Sequence, residues 1–286
     1  MTEIRRVGVV GAGLMGSGIA EVHARAGQDV LVAEVSEPAL EAGRARIEKS
    51  LKRGVKHGKI SEDDAQAALG RLRFSTDLDA FADRELVIEA VVEREAEKVE
   101  IFRTIDKVVE SDDAIFASNT SSIPIMKLGM ATGRPQQVVG IHFFNPVPVL
   151  PLVELVPSLL TGEETIARAD AHVTGVLGKT VIRSQDRAGF IVNSLLVPYL
   201  LSAIRMIESG FASAEDIDRG MELGTAHPMG PLRLSDLIGL DTVKAIADSM
   251  YAEFKEPLYS APPLLLRMVD AGLLGKKTGR GFYSYG

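Results

Sequence analysis

The chain of 286 residues contains no cysteine, no tryptophan and only five histidines. Without cysteine there is no disulfide, no thiolate nucleophile and no Cys-ligated zinc or iron–sulfur centre. The histidines, His23, His57, His142, His172 and His227, are too scattered for a local metal signature such as H-E-x-x-H, so no metal site is expected. Positive charge is also short. Lys plus Arg number 32 against 39 Asp plus Glu, a net charge of −7, which argues against nucleic acid or an anionic membrane as a partner. The longest apolar stretch, 190–204, is interrupted by Asn193, Ser194 and Pro198 and falls short of the roughly 20 residues of a spanning helix. Glu3, Arg5 and Arg6 precede a short apolar run with no small-residue cleavage site after it. The expectation is a cytoplasmic protein without a secretory leader.

What is present is an ordinary globular composition, 46% hydrophobic and 25% charged, with length for about two domains. From residue 1 to about 185, short β-branched runs at 6–10, 29–34, 86–90, 115–118, 138–142 and 181–183 alternate with helical patterns. That alternation predicts an α/β fold: a Rossmann-type, mostly parallel, doubly wound sheet. Gly27 suits a helix C′ position, Ser36 an N-cap, and Ser61-Glu62-Asp63-Asp64 a capping box. After about residue 185 the strand signals vanish. Ile191, Leu195, Leu196, Tyr199, Leu200, Ile204 and Ile207 recur at helical spacing, with Pro198 expected to kink that helix. Ser213 can cap a second helix, and 235–254 and 263–271 read as two more. The expected division is an α/β domain at 1–185 and an all-α domain at 186–286.

Gly11-Ala12-Gly13-Leu14-Met15-Gly16 follows the first strand directly and opens a helix, the context a dinucleotide fingerprint requires. Gly11 would make the tight turn, Gly13 would let the backbone approach a pyrophosphate, and Gly16 would allow close helix–strand packing. Free N–H groups at the helix N-terminus would then hold the phosphates. Glu34 ends the second strand close to the expected spacing of about 20 residues for a carboxylate on the adenosine ribose. It would repel a 2′-phosphate, and Val35, Ser36 and Glu37 offer no cation, so NAD is expected over NADP. The bland alternatives are a glycine-rich turn and a strand-end acid.

His142 ends an apolar strand, and Glu154 lies downstream. Histidine is the natural acceptor for a hydroxyl proton near neutral pH, and a carboxylate on its second ring nitrogen would fix the tautomer. From local sequence alone His142 could equally be a hydrogen-bonded structural residue. Ser118-Asn119-Thr120-Ser121-Ser122 supplies hydroxyls at another strand end, or is simply a polar loop. Lys49, Lys52, Arg53 and Lys56 share one helix face, either a seat for the phosphates of an anionic substrate or a solvated surface.

These motifs, with Glu89-Ala90-Val91-Val92-Glu93, His142-Phe143-Phe144-Asn145-Pro146, Gly189-Phe190-Ile191-Val192-Asn193 and Gly279-Arg280-Gly281-Phe282-Tyr283, resemble the short-chain L-3-hydroxyacyl-CoA dehydrogenases along the whole chain. The bacterial 3-hydroxybutyryl-CoA enzymes are the nearest group. The resemblance implies His142 as catalytic base, Glu154 as its orienting carboxylate, and Ser121 and Asn193 as donors to the substrate oxygen. It implies NAD contacts at Gly11, Gly13, Leu14, Met15, Gly16, Glu34, Glu93, Lys98, Ser121 and Asn145. Substrate contacts would fall on Ser50, Ser121 and Asn193. The family's next CoA-contacting lysine is replaced by His57, with Lys56 or Lys59 as substitutes. The family commonly has aspartate where Glu34 stands. The implied reaction is oxidation of an acyl-CoA alcohol, in a homodimer joined through the helical domain.

Three alternatives stay open. A dehydrogenase of free hydroxy acids or sugar acids would use the same cofactor, and a non-catalytic relative would bind NAD without turnover. A Ser121–His142–Glu154 hydrolase triad is disfavoured because no G-x-S-x-G elbow surrounds Ser121.

Overall fold

The computed structural model describes residues 3–286, which divide into two compact units at Asp186 and Arg187. The first unit runs β1 (Arg6–Val10), α1 (Leu14–Arg25), β2 (Asp29–Ala33), α2 (Glu37–Lys56), α3 (Glu62–Gly70), β3 (Leu72–Ser75), β4 (Leu86–Glu89), α4 (Glu95–Val108), β5 (Ile115–Ser118), α5 (Ile125–Gly129), β6 (Val138–Phe143), β7 (Leu152–Pro157), α6 (Glu163–Ala171) and β8 (Thr180–Arg183). The sheet order is β3-β2-β1-β4-β5-β6-β7-β8. Its first six strands are parallel, β7 pairs antiparallel with β6, and β8 runs parallel to β7. The order 3-2-1-4-5-6 is that of the dinucleotide-binding fold, with its crevice where the order reverses, between β1 and β4.

Most of the strands that were legible are central ones; the exception is β8, an edge strand marked by its β-branched run Thr180-Val181-Ile182. A parallel strand covered on both faces is apolar throughout, and β4, β5 and β6 are buried at every position. Two strands escape the sequence reading. β3 is a four-residue edge strand with only partial burial, too short for an alternation to declare itself. β7 lies between Pro151 and Pro157 and places Glu154 inside an apolar run, so punctuation and charge hide it. The side chains of Ser61 and Ser213 act as helix caps as expected, the first for α3 and the second for the helix Ala214–Thr225, accepting from Asp64 N and Asp216 N. Ser36 sits at the N-cap of α2 without a side-chain bond.

The second unit is helical: α7 (Val192–Glu208), α8 (Ala214–Thr225), α9 (Pro231–Ile238), α10 (Leu240–Phe254) and α11 (Pro263–Asp270). Its own core gathers Leu200, Leu201, Ile204, Leu232, Val243 and Met250. α7 continues through Pro198 without ending. The span expected as one helix at 235–254 is two, because Gly239 adopts φ +102°, a conformation outside the helical region that glycine tolerates. Among the described residues no helix is long and apolar enough to cross a membrane.

Candidate active site

The glycine turn leaves β1 and enters α1 as its spacing requires. Gly11 has φ +100°, and a Cβ on Gly16 would stand 1.8 Å from the Gly11 carbonyl oxygen. Over Gly13, by contrast, a Cβ would meet nothing within 4 Å, so the turn is open on the side a ligand would approach. The first N–H groups of a helix have no intrahelical acceptor, and no side chain caps α1. That leaves donors for an anion. Exposed Leu14 and half-buried Met15 begin the same turn.

Glu34 is held rigidly beside it. Its Oε1 accepts from Ala12 N at 2.9 Å and its Oε2 from Val35 N at 3.0 Å. Beyond Glu34 a cavity of about 150 Å³ is walled by Gly11, Val35, Leu78, Val91 and Ile101. An open glycine turn with uncapped donors, a fixed carboxylate and an apolar slot suit, in that order, a pyrophosphate, a ribose and a flat base. The residues present fit NAD.

The loop after β5 is fastened from below. Glu93 Oε1 accepts from Ser121 N at 2.9 Å, from Ser122 N at 3.1 Å and from the hydroxyls of Thr120 and Ser122. Lys98 Nζ lies 2.6 Å from Glu89 Oε1 and 3.3 Å from Glu93 Oε2. Burial by itself would push the Glu93 carboxyl up, but the Lys98 ammonium and the loop hydrogen bonds outweigh it and hold the group below the usual carboxylate range. Glu89 and Lys98 are 0% and 1% exposed. Ser118 Oγ completes the cluster by donating to Glu89 Oε2 at 2.6 Å.

His142 and Glu154 face each other across the antiparallel β6–β7 pair, in direct register. The ring Nδ1 stands 2.8 Å from Glu154 Oε2, and Nε2 stands 3.0 Å from Ser121 Oγ. A carboxylate accepts only, so Nδ1 carries the proton and donates it. In the neutral ring Nε2 then presents its lone pair toward Ser121, the tautomer a proton acceptor needs. Glu154 is fully buried and His142 is 4% exposed. Phe144 packs edge-on to the imidazole at 4.7 Å between centroids. Asn119, which no sequence argument singled out beyond its loop, anchors β6 by accepting from Phe143 N at 2.8 Å. Glu89 was likewise visible only as part of a motif, since its role depends on a lysine one helix away.

Asn145 is exposed just past β6, where the Asn145–Pro146 peptide is cis. On α2, Ser50 is half-buried, while Lys49, Lys52, Arg53 and Lys56 are all exposed. Asn193 belongs to the second unit, where it is buried at the start of α7.

A dinucleotide crevice beside a histidine held as a proton acceptor defines a nicotinamide-dependent dehydrogenase. Residues 6–187 match the family described as 3-hydroxyacyl-CoA dehydrogenase, NAD binding domain, and 189–285 match its C-terminal domain. A 3-hydroxybutyryl-CoA dehydrogenase of Mycobacterium tuberculosis is 64% identical over 99% of both chains. One from Bradyrhizobium diazoefficiens is 45% identical over 99% of this chain and 96% of its own. The crystal structure of (S)-3-hydroxybutyryl-CoA dehydrogenase from Ralstonia eutropha is 45% identical and superposes with a TM-score of 0.92, covering 99% of this chain and 100% of that one. The chain belongs to the 3-hydroxyacyl-CoA dehydrogenase family, and its cofactor is NAD.

Proposed function

We propose that the protein interconverts L-3-hydroxyacyl-CoA and 3-ketoacyl-CoA, with short chains such as 3-hydroxybutyryl-CoA as its substrates. The observation that carries this reading is the Ser121–His142–Glu154 relay, with 3.0 and 2.8 Å links at the carboxyl end of β6. NAD, when bound, supplies the acceptor for the hydride leaving C3. His142 Nε2 takes the proton of the C3 hydroxyl, and Glu154 stabilises the imidazolium that forms. The Ser121 hydroxyl, which now faces Nε2, turns to donate to the substrate oxygen together with Asn193, as that oxygen gains carbonyl character. Glu93 holds the Ser121 backbone in place, and Lys98 acts through Glu93 by keeping its carboxylate charged. Gly11, Gly13, Leu14, Met15, Gly16, Glu34 and Asn145 bind the cofactor.

In this reading residues 1–185 hold NAD, and 186–286 contribute Asn193 and the contact of a homodimer working in the cytoplasm. Leu195, Phe211 and Leu223, each more than 70% exposed on the helical unit, would be covered by a partner copy. Ser50 and Lys56 lie on the side offered to CoA. The unpaired cations of α2 favour a CoA thioester over a free hydroxy acid.

The test follows oxidation of NADH by absorbance with acetoacetyl-CoA, with longer 3-ketoacyl-CoAs and with free acetoacetate. NADPH is run in parallel. Turnover should be confined to the thioesters and to NADH, and Glu34→Gln should narrow the cofactor preference because it removes the repulsion of a 2′-phosphate. Equal efficiency on free acetoacetate would overturn the substrate assignment.

A further inference from the structure

The β5–β6 ladder stops short of the proposed relay. Its register runs Phe116 with Val138, Ala117 with Val139 and Ser118 with Gly140, and β6 then continues through Ile141, His142 and Phe143 paired with β7. Past Ser118 the other chain stays bonded to β4, where Asn119 N donates to Glu89 O at 2.8 Å. A buried β6 N–H facing back across this gap would lack an acceptor, at a cost of about 1–3 kcal/mol. Phe143 N is that donor, and the Asn119 side chain crosses the gap to accept from it at 2.8 Å. Asn119 is 9% exposed and Phe143 1%, so both partners are shielded from water. The Phe143 ring is packed as well, edge-on to His23 at 6.4 Å between centroids.

This bond lies between the two halves of the relay. Two residues past Asn119 is Ser121, whose backbone N–H Glu93 fixes from the β4 side. One residue before Phe143 is His142, which Glu154 fixes from the β7 side. Each half is pinned from its own outer edge, and neither pin sets the gap between them. Ser121 Oγ and His142 Nε2 stand 3.0 Å apart. One substrate oxygen must accept a hydrogen bond from the hydroxyl and give its proton to the imidazole, so it has to lie within about 3 Å of both. That holds only while the gap keeps its width, and in such a constellation a misplacement of about 1 Å can cost about 10²-fold in rate.

We propose that Asn119 is a positioning residue for the reaction: its side-chain carbonyl sets the separation of the Ser121 hydroxyl and the His142 imidazole. This rests on the reading of function above. Asn119→Leu is close in size and removes the acceptor, whereas Asn119→Asp keeps an acceptor oxygen. In N119L, kcat with acetoacetyl-CoA and NADH should fall about 10²-fold, while KM for acetoacetyl-CoA and NADH affinity by fluorescence titration stay near wild type. N119D should recover most of the loss. In an S121A background the spacing no longer has a hydroxyl to place, so N119L should cost several-fold less there than in wild type. An equal cost in both backgrounds, or a loss that N119D does not recover, would reduce Asn119 to general support of the fold. N119A, which removes the acceptor without adding methyl groups, is read in the same way should N119L fail to fold. A readout without turnover separates the proposal from the proposed reaction: the nitrogen NMR resonance of His142 Nε2 should shift in N119L as it does in S121A, and return in N119D. An unmoved resonance in N119L would overturn the positioning role. Wild-type protein inert on acetoacetyl-CoA would overturn the reaction instead, and the resonance would still decide the spacing.

Discussion

The first unit keeps its polar side chains in two kinds of place, and they obey different physics. Glu89, Lys98, His142 and Glu154 are at most 4% exposed, and each has a partner within 3 Å. Lys49, Lys52, Arg53 and Lys56 on α2 stand in solvent and form no ion pair among the described residues. A buried charge must be paired, so its geometry is fixed and its loss is expensive. An exposed charge is screened within about 10 Å at ordinary ionic strength. The buried groups can therefore set the position of a proton, whereas cations exposed as those of α2 are can reach an anion only through a screened field.

The largest effect should come from the relay. His142→Gln should lower kcat by about 10²- to 10⁴-fold, the usual contribution of a positioned base, while NADH affinity measured by fluorescence titration stays near wild type. Glu154→Gln should follow the same pattern. The two losses should be far from additive because they disable one proton-transfer unit. A His142→Gln variant with most of its turnover intact would remove the relay from the mechanism.

Next in size is the buried ion pair. Lys98→Met leaves Glu89 without its ammonium and should cost about 3–5 kcal/mol in urea denaturation, the usual penalty for orphaning a buried charge. Glu89→Gln in the Lys98→Met background should recover a large part. Strict additivity of the two substitutions would mean that the pair is not coupled.

A third experiment concerns two buried imidazoles, His23, whose Nδ1 bonds the Ile19 carbonyl at 2.8 Å while Nε2 has no partner, and His172. His23 and His172 stack at 5.4 Å between centroids, and neither ring nitrogen of His172 has a hydrogen-bond partner. Burial, with the neighbouring imidazole adding to it, pushes His23 down to about 3, and burial pushes His172 down to about 4. Both are bases whose folded values lie below the unfolded one, so between about pH 6.5 and 4 the unfolded chain binds more protons and stability falls as pH is lowered. His172→Leu should make the decline of Tm across that window shallower. An unchanged slope would mean that His172 is solvated in the folded state.

The smallest effect belongs to the exposed side of the comparison. Replacing Lys52, Arg53 and Lys56 together by Gln should raise KM for acetoacetyl-CoA several-fold at low salt, and the difference should shrink as salt is added. A loss that persisted at high salt would show that these cations make close contacts rather than acting through a screened field.

Much of the fold is legible in the sequence, and the reason is locality. Six strand positions, the glycine turn and the Ser61 and Ser213 caps depend on residues within a few positions of one another. Gly239 shows the limit of that reading: its neighbours on both sides are good helix residues, and only its positive φ divides α9 from α10. β7 marks a second limit. Its apolar residues resembled a loop between prolines until β6 supplied a partner.

By itself, then, the sequence determined the α/β architecture of the first unit, the glycine fingerprint with its following carboxylate and the helical character of the second unit, all through short-range steric and hydrophobic preferences. Tertiary structure alone decided that His142 and Glu154 are cross-strand neighbours, because antiparallel register is set by pairing along the whole strand. It also decided that Lys98 is an internal cation between two carboxylates and that Arg25, Arg71 and Lys179 surround one cavity. Such placements depend on which surfaces lose water together, and spacing along the chain carries no record of that.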